Sequence, residues 1–396
     1  MSYRIEDVLE SVGEGGPAPR TSTADIIAGA HRIRSRRRWA TAAGAGSAVA
    51  VTVAVIAGLG GTTPRAATPE LPPAATPTAS FTAPSAARNF QQPNGLAFTV
   101  AAARAGTLRV GPGATATFGY QRFPVYRDGV TLEVDGVAYP YPEATLTFYQ
   151  PGVFDRQAFG KPEGARGQYG PEKRLTIMGR AGFERAVTYR LPDLADMRAK
   201  LRANPKLNIN DPSIRTESFS RTAFAWQFDG RSWATFVPNT GREPLSRADS
   251  LAIVEALMPG AQTPAVAPYT MGWLPAGWSA TAVDREPTDV VSRVFFDDRP
   301  PAGRELATSL DDYPAGGVLT IWAGDPKDTD APAAGEPMKC VDVNGYCTML
   351  LGDGYFAEFE RHGRGLSMDQ VRRILRSLKV TTISDRSTWK PVQSRF

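Results

Sequence analysis

Two patterns of apolar and polar positions divide this chain. From residue 39 to 61 no residue is charged, and the run is built from Ala, Gly, Ser and Thr with Val49, Val51, Val53, Val55, Ile56 and Leu59. Twenty-odd helical residues at 1.5 Å each reach about 30 Å, the thickness of a bilayer's hydrocarbon core. The pattern therefore predicts one transmembrane helix over 39–61. Beyond Asn89 the period falls to two: short alternating runs at 96–100, 117–120, 130–134, 146–149 and 223–228 are separated by Gly, Pro and Asp. Such alternation predicts antiparallel sheet with one wet face. Helical spacing interrupts it near 193–203 and 246–258, so the expected class is α+β.

The β-type region repeats itself. The run Asp229-Gly230-Arg231-Ser232-Trp233-Ala234-Thr235-Phe236 precedes Leu245-Ser246 and a helix; Asp353-Gly354-Tyr355-Phe356-Ala357-Glu358-Phe359 precedes Leu366-Ser367 and another. With the serines aligned, Ile253, Val254 and Leu257 fall on Ile374, Leu375 and Leu378. Upstream, Leu146-Thr147-Phe148-Tyr149 matches Leu319-Thr320-Ile321-Trp322. Ser367 with Gln370 spells a capping box, and Leu366 with Val371 a hydrophobic staple; Ser246 with Asp249 is a looser version. The expectation is two copies of a sheet closed by a C-terminal packing helix, at 89–262 and 263–383, followed by a tail at 384–396.

Charge orients the uncharged run. Arg32, Arg34, Arg36, Arg37 and Arg38 crowd its N-terminal edge beside Trp39, against Arg65 alone past the other end. Basic residues stay in the cytoplasm, which puts the tail 1–38 inside and the repeats outside, in a single-pass protein of the cell membrane. The competing readings of these letters are a cleaved signal peptide, whose apolar core is usually about 7 to 15 residues, and a loose twin-arginine export signal at Ser35–Trp39. Residues 62–88 are mostly Pro, Thr, Ala and Ser, too poor in apolar side chains to order, and predict an extended spacer. The formal charge of +5 is small for 396 residues, about +2 of it lies in the tail, and no basic run with interleaved aromatics occurs farther on. Nucleic-acid binding is not expected.

Both cysteines, Cys340 and Cys347, fall on the side read as external, where disulfides persist. Asn344-Gly345 between them is a hairpin signal. A four-residue loop at 342–345 places the cysteines directly opposite; a two-residue loop places them diagonally, and either spacing allows a bridge.

Candidate chemistry is sparse. His31 lies beside the arginine cluster and His362 in the loop before the last helix, so a His/Cys metal site is not expected and a serine or cysteine triad would have to use His362. No nucleophile elbow or phosphate-binding glycine loop occurs. Ser387-x-x-Lys390 lacks companion motifs; Asp325, Asp328 and Asp330 lack the glycine and distal glutamate of a calcium loop. Glu358 and Glu360 share a strand face. Trp226, Trp233, Trp273, Trp278, Trp322, Tyr355 and Phe356 crowd the repeats, reading either as core or as an apolar groove. No catalytic, metal or cofactor site is expected.

Gly272-Trp273-Leu274-Pro275-Ala276-Gly277-Trp278, the strand at 317–321 and the helix after Leu366-Ser367 resemble those of bacterial membrane-anchored proteins with a small, uncharacterised β-sheet ectodomain. The Arg-ended tail, span and Pro/Thr-rich tether are similar to the layout of such proteins in high-GC Gram-positive bacteria. Some proteins of this layout are anti-sigma regulators with a zinc-binding cytoplasmic domain, which this cysteine-free tail lacks. The resemblance implies a membrane-anchored envelope protein, and the first reading of the whole chain is a non-enzymatic one whose ectodomain binds or senses an external ligand or protein. Two other readings stand beside it: a regulatory anchor whose tail holds a cytoplasmic partner, and a secreted hydrolase with a carboxylate site.

Overall fold

The computed structural model describes residues 95–392 except 135–136, 158, 160–166, 205–212, 240–244, 286–289, 308–309, 311–312, 324–331, 333–335 and 363–364. One sheet runs through them and falls into two halves with the same strand order. The first half reads Thr115–Thr117, Tyr120–Val134, Val137–Tyr149, Trp233–Pro238, Thr216–Gln227 and Arg180–Pro192. The second reads Ser279–Asp284, Val290–Asp297, Gly317–Ala323, Tyr355–Arg361, Tyr346–Gly352 and Met338–Val341. In each, three strands taken in chain order are followed by the sixth, fifth and fourth. All pairings are antiparallel.

After its sixth strand each half makes a short helix, Arg247–Glu255 or Met368–Arg376. A strand then returns to pair with one that precedes the half: Pro259–Pro264 with Ala97–Val100, and Leu378–Val380 with Tyr269–Met271. The halves join through their first strands, Ala282 opposite Thr117, Val283 opposite Ala116 and Asp284 opposite Thr115. At this seam Asp284 is buried with both carboxylate oxygens engaged. Thr115 Oγ1 donates to one at 2.7 Å and Arg293 Nη2 to the other at 2.7 Å.

The inner faces of both halves and both helices contribute to one core. Phe148, Trp226, Phe236, Ile253, Val254, Phe296, Phe359, Ile374 and Leu375 all belong to it. Alternation along the strands puts every second side chain on this face. Ser367 caps the last helix by accepting from Gln370 N–H, while the Gln370 side chain accepts from Ser367 N–H. The hairpin before it turns on Asp353 and Gly354, both at positive φ (51° and 75°), the backbone that a tight two-residue hairpin requires.

The α+β expectation is corrected: the described residues form a mainly β fold. The strands Tyr120–Val134, Val137–Tyr149, Arg180–Pro192 and Thr216–Gln227 run 12 to 15 residues, whereas Leu194–Ala203, Arg247–Glu255 and Met368–Arg376 have 9 or 10. Long alternating strands supply most of the buried side chains themselves. The two packing helices bury only Ser250, Ile253 and Val254, and Val371, Ile374 and Leu375. Among the described residues no helix is long and apolar enough to cross a membrane. The span expected at 39–61 lies outside them, as do the tail with Arg32, Arg34, Arg36, Arg37, Arg38 and Trp39, and the spacer at 62–88.

Candidate functional site

Alternation that fills the core from one face leaves the other to be explained, and in the first half that outer face is aromatic. Tyr120, Tyr149 and Trp233 come from neighbouring strands, and Phe183 from a strand farther along. The turn after Tyr149 lays Phe154 and Phe159 across them. Ring centroids follow one another at 6.1 Å from Tyr120 to Tyr149, 5.3 Å to Phe154, 5.0 Å to Trp233, 5.8 Å to Phe183, 5.7 Å to Phe159 and 5.9 Å to Tyr169. Phe154 stacks nearly parallel on Trp233, and most other contacts are tilted, the offset geometries that the ring quadrupole favours. Tyr120 and Phe183 are buried; Tyr149, Phe154, Phe159, Tyr169 and Trp233 are half-buried.

Guanidinium groups edge this row. Arg156 lies 4.7 Å above the Phe183 ring, Arg185 lies 6.0 Å from it, and Arg122 lies 4.9 Å from Tyr120. Glu172 ties two of them together, accepting from Arg156 and, at 2.5 Å, from Arg185. The Arg156 hydrogen bond is the main cause that lowers the Glu172 carboxyl from 4.5 to about 2; Arg185 adds to it, and desolvation opposes both. A planar cation above a ring face is held without using its outward N–H groups. The row thus presents ring faces together with the cations that edge them.

Farther out on the same face Tyr189 donates to the Pro238 carbonyl at 2.8 Å, and burial pushes its hydroxyl up to about 12. Arg221 is buried and donates to the Asn239 carbonyl at 2.6 Å; burial lowers its pKa, while Glu143 opposes the fall. The second half repeats the aromatic pair: Trp322 and Phe356 are cross-strand partners with rings stacked at 4.7 Å. A different segment covers the outer face there, Leu310 and Tyr313 packing with Phe295 and Val318.

Cys340 and Cys347 are bonded to each other and sit directly opposite, so the loop is the four residues 342–345. Of the aromatic residues singled out in the sequence, Trp226 and Trp278 are core, Phe356 is buried against Trp322 on the outer face, and Trp233, Trp273, Trp322 and Tyr355 keep part of their surface. His362 Nε2 lies 3.5 Å from Glu360, and Ser387 Oγ donates to its own turn's Asp385 at 2.7 Å. Asp325, Asp328 and Asp330 lie outside the described residues. Phe154, Phe159 and Phe183 carried no sequence signal, since each is a lone aromatic in a polar stretch. Tyr149 and Trp233 stood in repeat motifs.

The chain matches no protein-family model and no curated protein. Among solved structures it is similar to a crystal structure of MucB in complex with MucA(peri), at 13% identity over 68% of this chain and 94% of that one, with a TM-score of 0.17. A score that low supports neither a shared fold nor a shared partner.

Proposed function

We propose that this chain is a non-catalytic binding protein that works outside the cytoplasm, at the cell membrane, and takes a protein partner on the outer face of its first half. The observation that carries the reading is the row of seven rings, five of them half-buried, edged by Arg122, Arg156 and Arg185. Aromatic and arginine side chains concentrate binding energy at protein interfaces, because they offer large contact area and specific donors. The Cys340–Cys347 bond supports the external location, since such bonds persist in oxidising compartments.

The test places a photo-crosslinking amino acid at Phe154 of the full-length protein in the cells that make it, with a control at Val343, which is 84% exposed on the far hairpin. A discrete protein adduct at position 154, absent at 343 and lost when Trp233→Ala is added, is the expected result. No adduct at 154, or the same adduct at both positions, would overturn the reading.

A further inference from the structure

The half-buried rings of the first half keep apolar surface in water, and covering such surface is favourable. In the second half the same face is covered by the chain itself. The segment between its second and third strands lays Leu310 and Tyr313 on Phe295 and Val318, and Tyr313 donates to Thr281 O at 2.9 Å. In the first half the second and third strands, Tyr120–Val134 and Val137–Tyr149, follow each other almost at once, so no such segment lies between them.

The rim of the row is cationic. Arg122, Arg156 and Arg185 edge the rings, and Glu172 serves two of them. Asp155 accepts from Gln157 N–H in its own turn, and Glu184 pairs with Arg247. The Arg156 side chain is 53% exposed, and a guanidinium carries five donors, so a second carboxylate has access to it. An occupant suited to this face offers apolar groups for the rings, one acidic group for the rim, and a backbone that loses little entropy on docking.

Pro69-Glu70-Leu71-Pro72-Pro73 has that composition. It lies outside the described residues, N-terminal to Gly95. A Pro-x-x-Pro run favours the polyproline II helix, with three residues per turn and about 3.1 Å each, which sets Pro69 and Pro72 on one side about 9 Å apart. Two steps of the row, 5.3 Å from Tyr149 to Phe154 and 5.0 Å on to Trp233, cover a comparable span. Aromatic-lined surfaces take such segments because the helix is formed before it docks. Glu70 is also the one acidic residue between Asp25 and Asp128, so charge matching singles out this stretch of the N-terminal chain. Residues 74–94 reach roughly 70 Å when extended. They lead into Ala97–Val100, whose Phe98 ring packs 5.6 Å from Phe123 on the strand that carries Tyr120. The tether is long enough to pass from that inner face around to the outer one.

We propose that Pro69–Pro73 docks on the aromatic row of its own chain, Pro69 and Pro72 on the rings and Glu70 at Arg156, and keeps that face closed until a partner displaces it. The closing role rests on the reading of this face as a protein-binding surface, and docking and closing are tested apart.

For docking, a photo-crosslinking amino acid is placed at Phe154 of purified full-length protein, prepared as an equal mixture of unlabelled and isotope-labelled chains. Trypsin then releases residues 66–88 as one peptide. The expected product is a link from position 154 to that peptide within a single chain, absent when the probe stands at Val343. Pro69→Ala combined with Pro72→Ala should abolish the link. Glu70→Gln should lower its yield about threefold, the effect of losing one solvent-screened ion pair. These three residues stand outside the described sheet, so the changes leave its packing alone. No link, a link between chains only, or a link within the chain that survives both proline changes overturns the docking. For closing, the same proline pair should increase the protein adduct formed at position 154 in the cells that make the protein. An adduct of unchanged yield overturns the closing role; no adduct from either chain overturns the partner reading and leaves the docking standing.

Discussion

Glu172→Gln tests whether the arginines that edge the aromatic row are held by charge. The carboxylate accepts from Arg156 and Arg185, and its pKa falls from 4.5 to about 2, chiefly through the Arg156 hydrogen bond. Taken whole, a fall of that size corresponds to roughly 3 kcal/mol. Solvent discounts it: the Arg156 side chain is 53% exposed, and such pairs are screened, so about 1 kcal/mol is the expected worth.

The folded-state value is the lower one. The stabilisation is therefore complete above the unfolded value near 4.5 and fades as pH falls through about 2. Urea unfolding of wild type and Glu172→Gln at pH 7 should differ by about 1 kcal/mol, with the same slope against denaturant. At pH 2 at least half of that difference should be gone. Equal stability at pH 7, or a difference that persists unchanged at pH 2, would refute the idea that this carboxylate fixes Arg156 over Phe183.

Replacing Cys340 and Cys347 together by Ser should cost about 2 to 3 kcal/mol, the loop-closure value for so short a link, read as a lower urea midpoint. Tyr269→Phe should stabilise the protein by about 1 kcal/mol, because the buried Tyr269 hydroxyl has no hydrogen-bond partner among the described residues and burial raises its pKa; a loss of stability would reveal one. Ser367→Ala removes the side-chain half of the last helix's capping box and should cost about 1 kcal/mol in the same assay, whereas Asp369→Ala at an exposed first-turn position should cost less.

Local chemistry was readable wherever it depends on neighbours in the chain. The Ser367–Gln370 cap and the Asn344-Gly345 turn that sets Cys340 opposite Cys347 are contacts between residues a few positions apart, so spacing alone constrains them. The period-two runs likewise marked strands. The class was misjudged because periodicity shows that a segment is amphipathic without showing how much of the core it fills. Strands of 12 to 15 residues leave the short helices a minor share.

The candidate site could not be read from the chain. The aromatic row joins Tyr120, Tyr149, Phe154, Phe159, Tyr169, Phe183 and Trp233. Members so far apart meet only because the sheet reverses the order of its last three strands. Sequence by itself determined the alternation, the caps and the turn that allows the bridge, all consequences of backbone geometry over a few residues. The shared sheet and the occupied outer face were decided by tertiary pairing, because register between distant strands depends on which faces bury the most surface together.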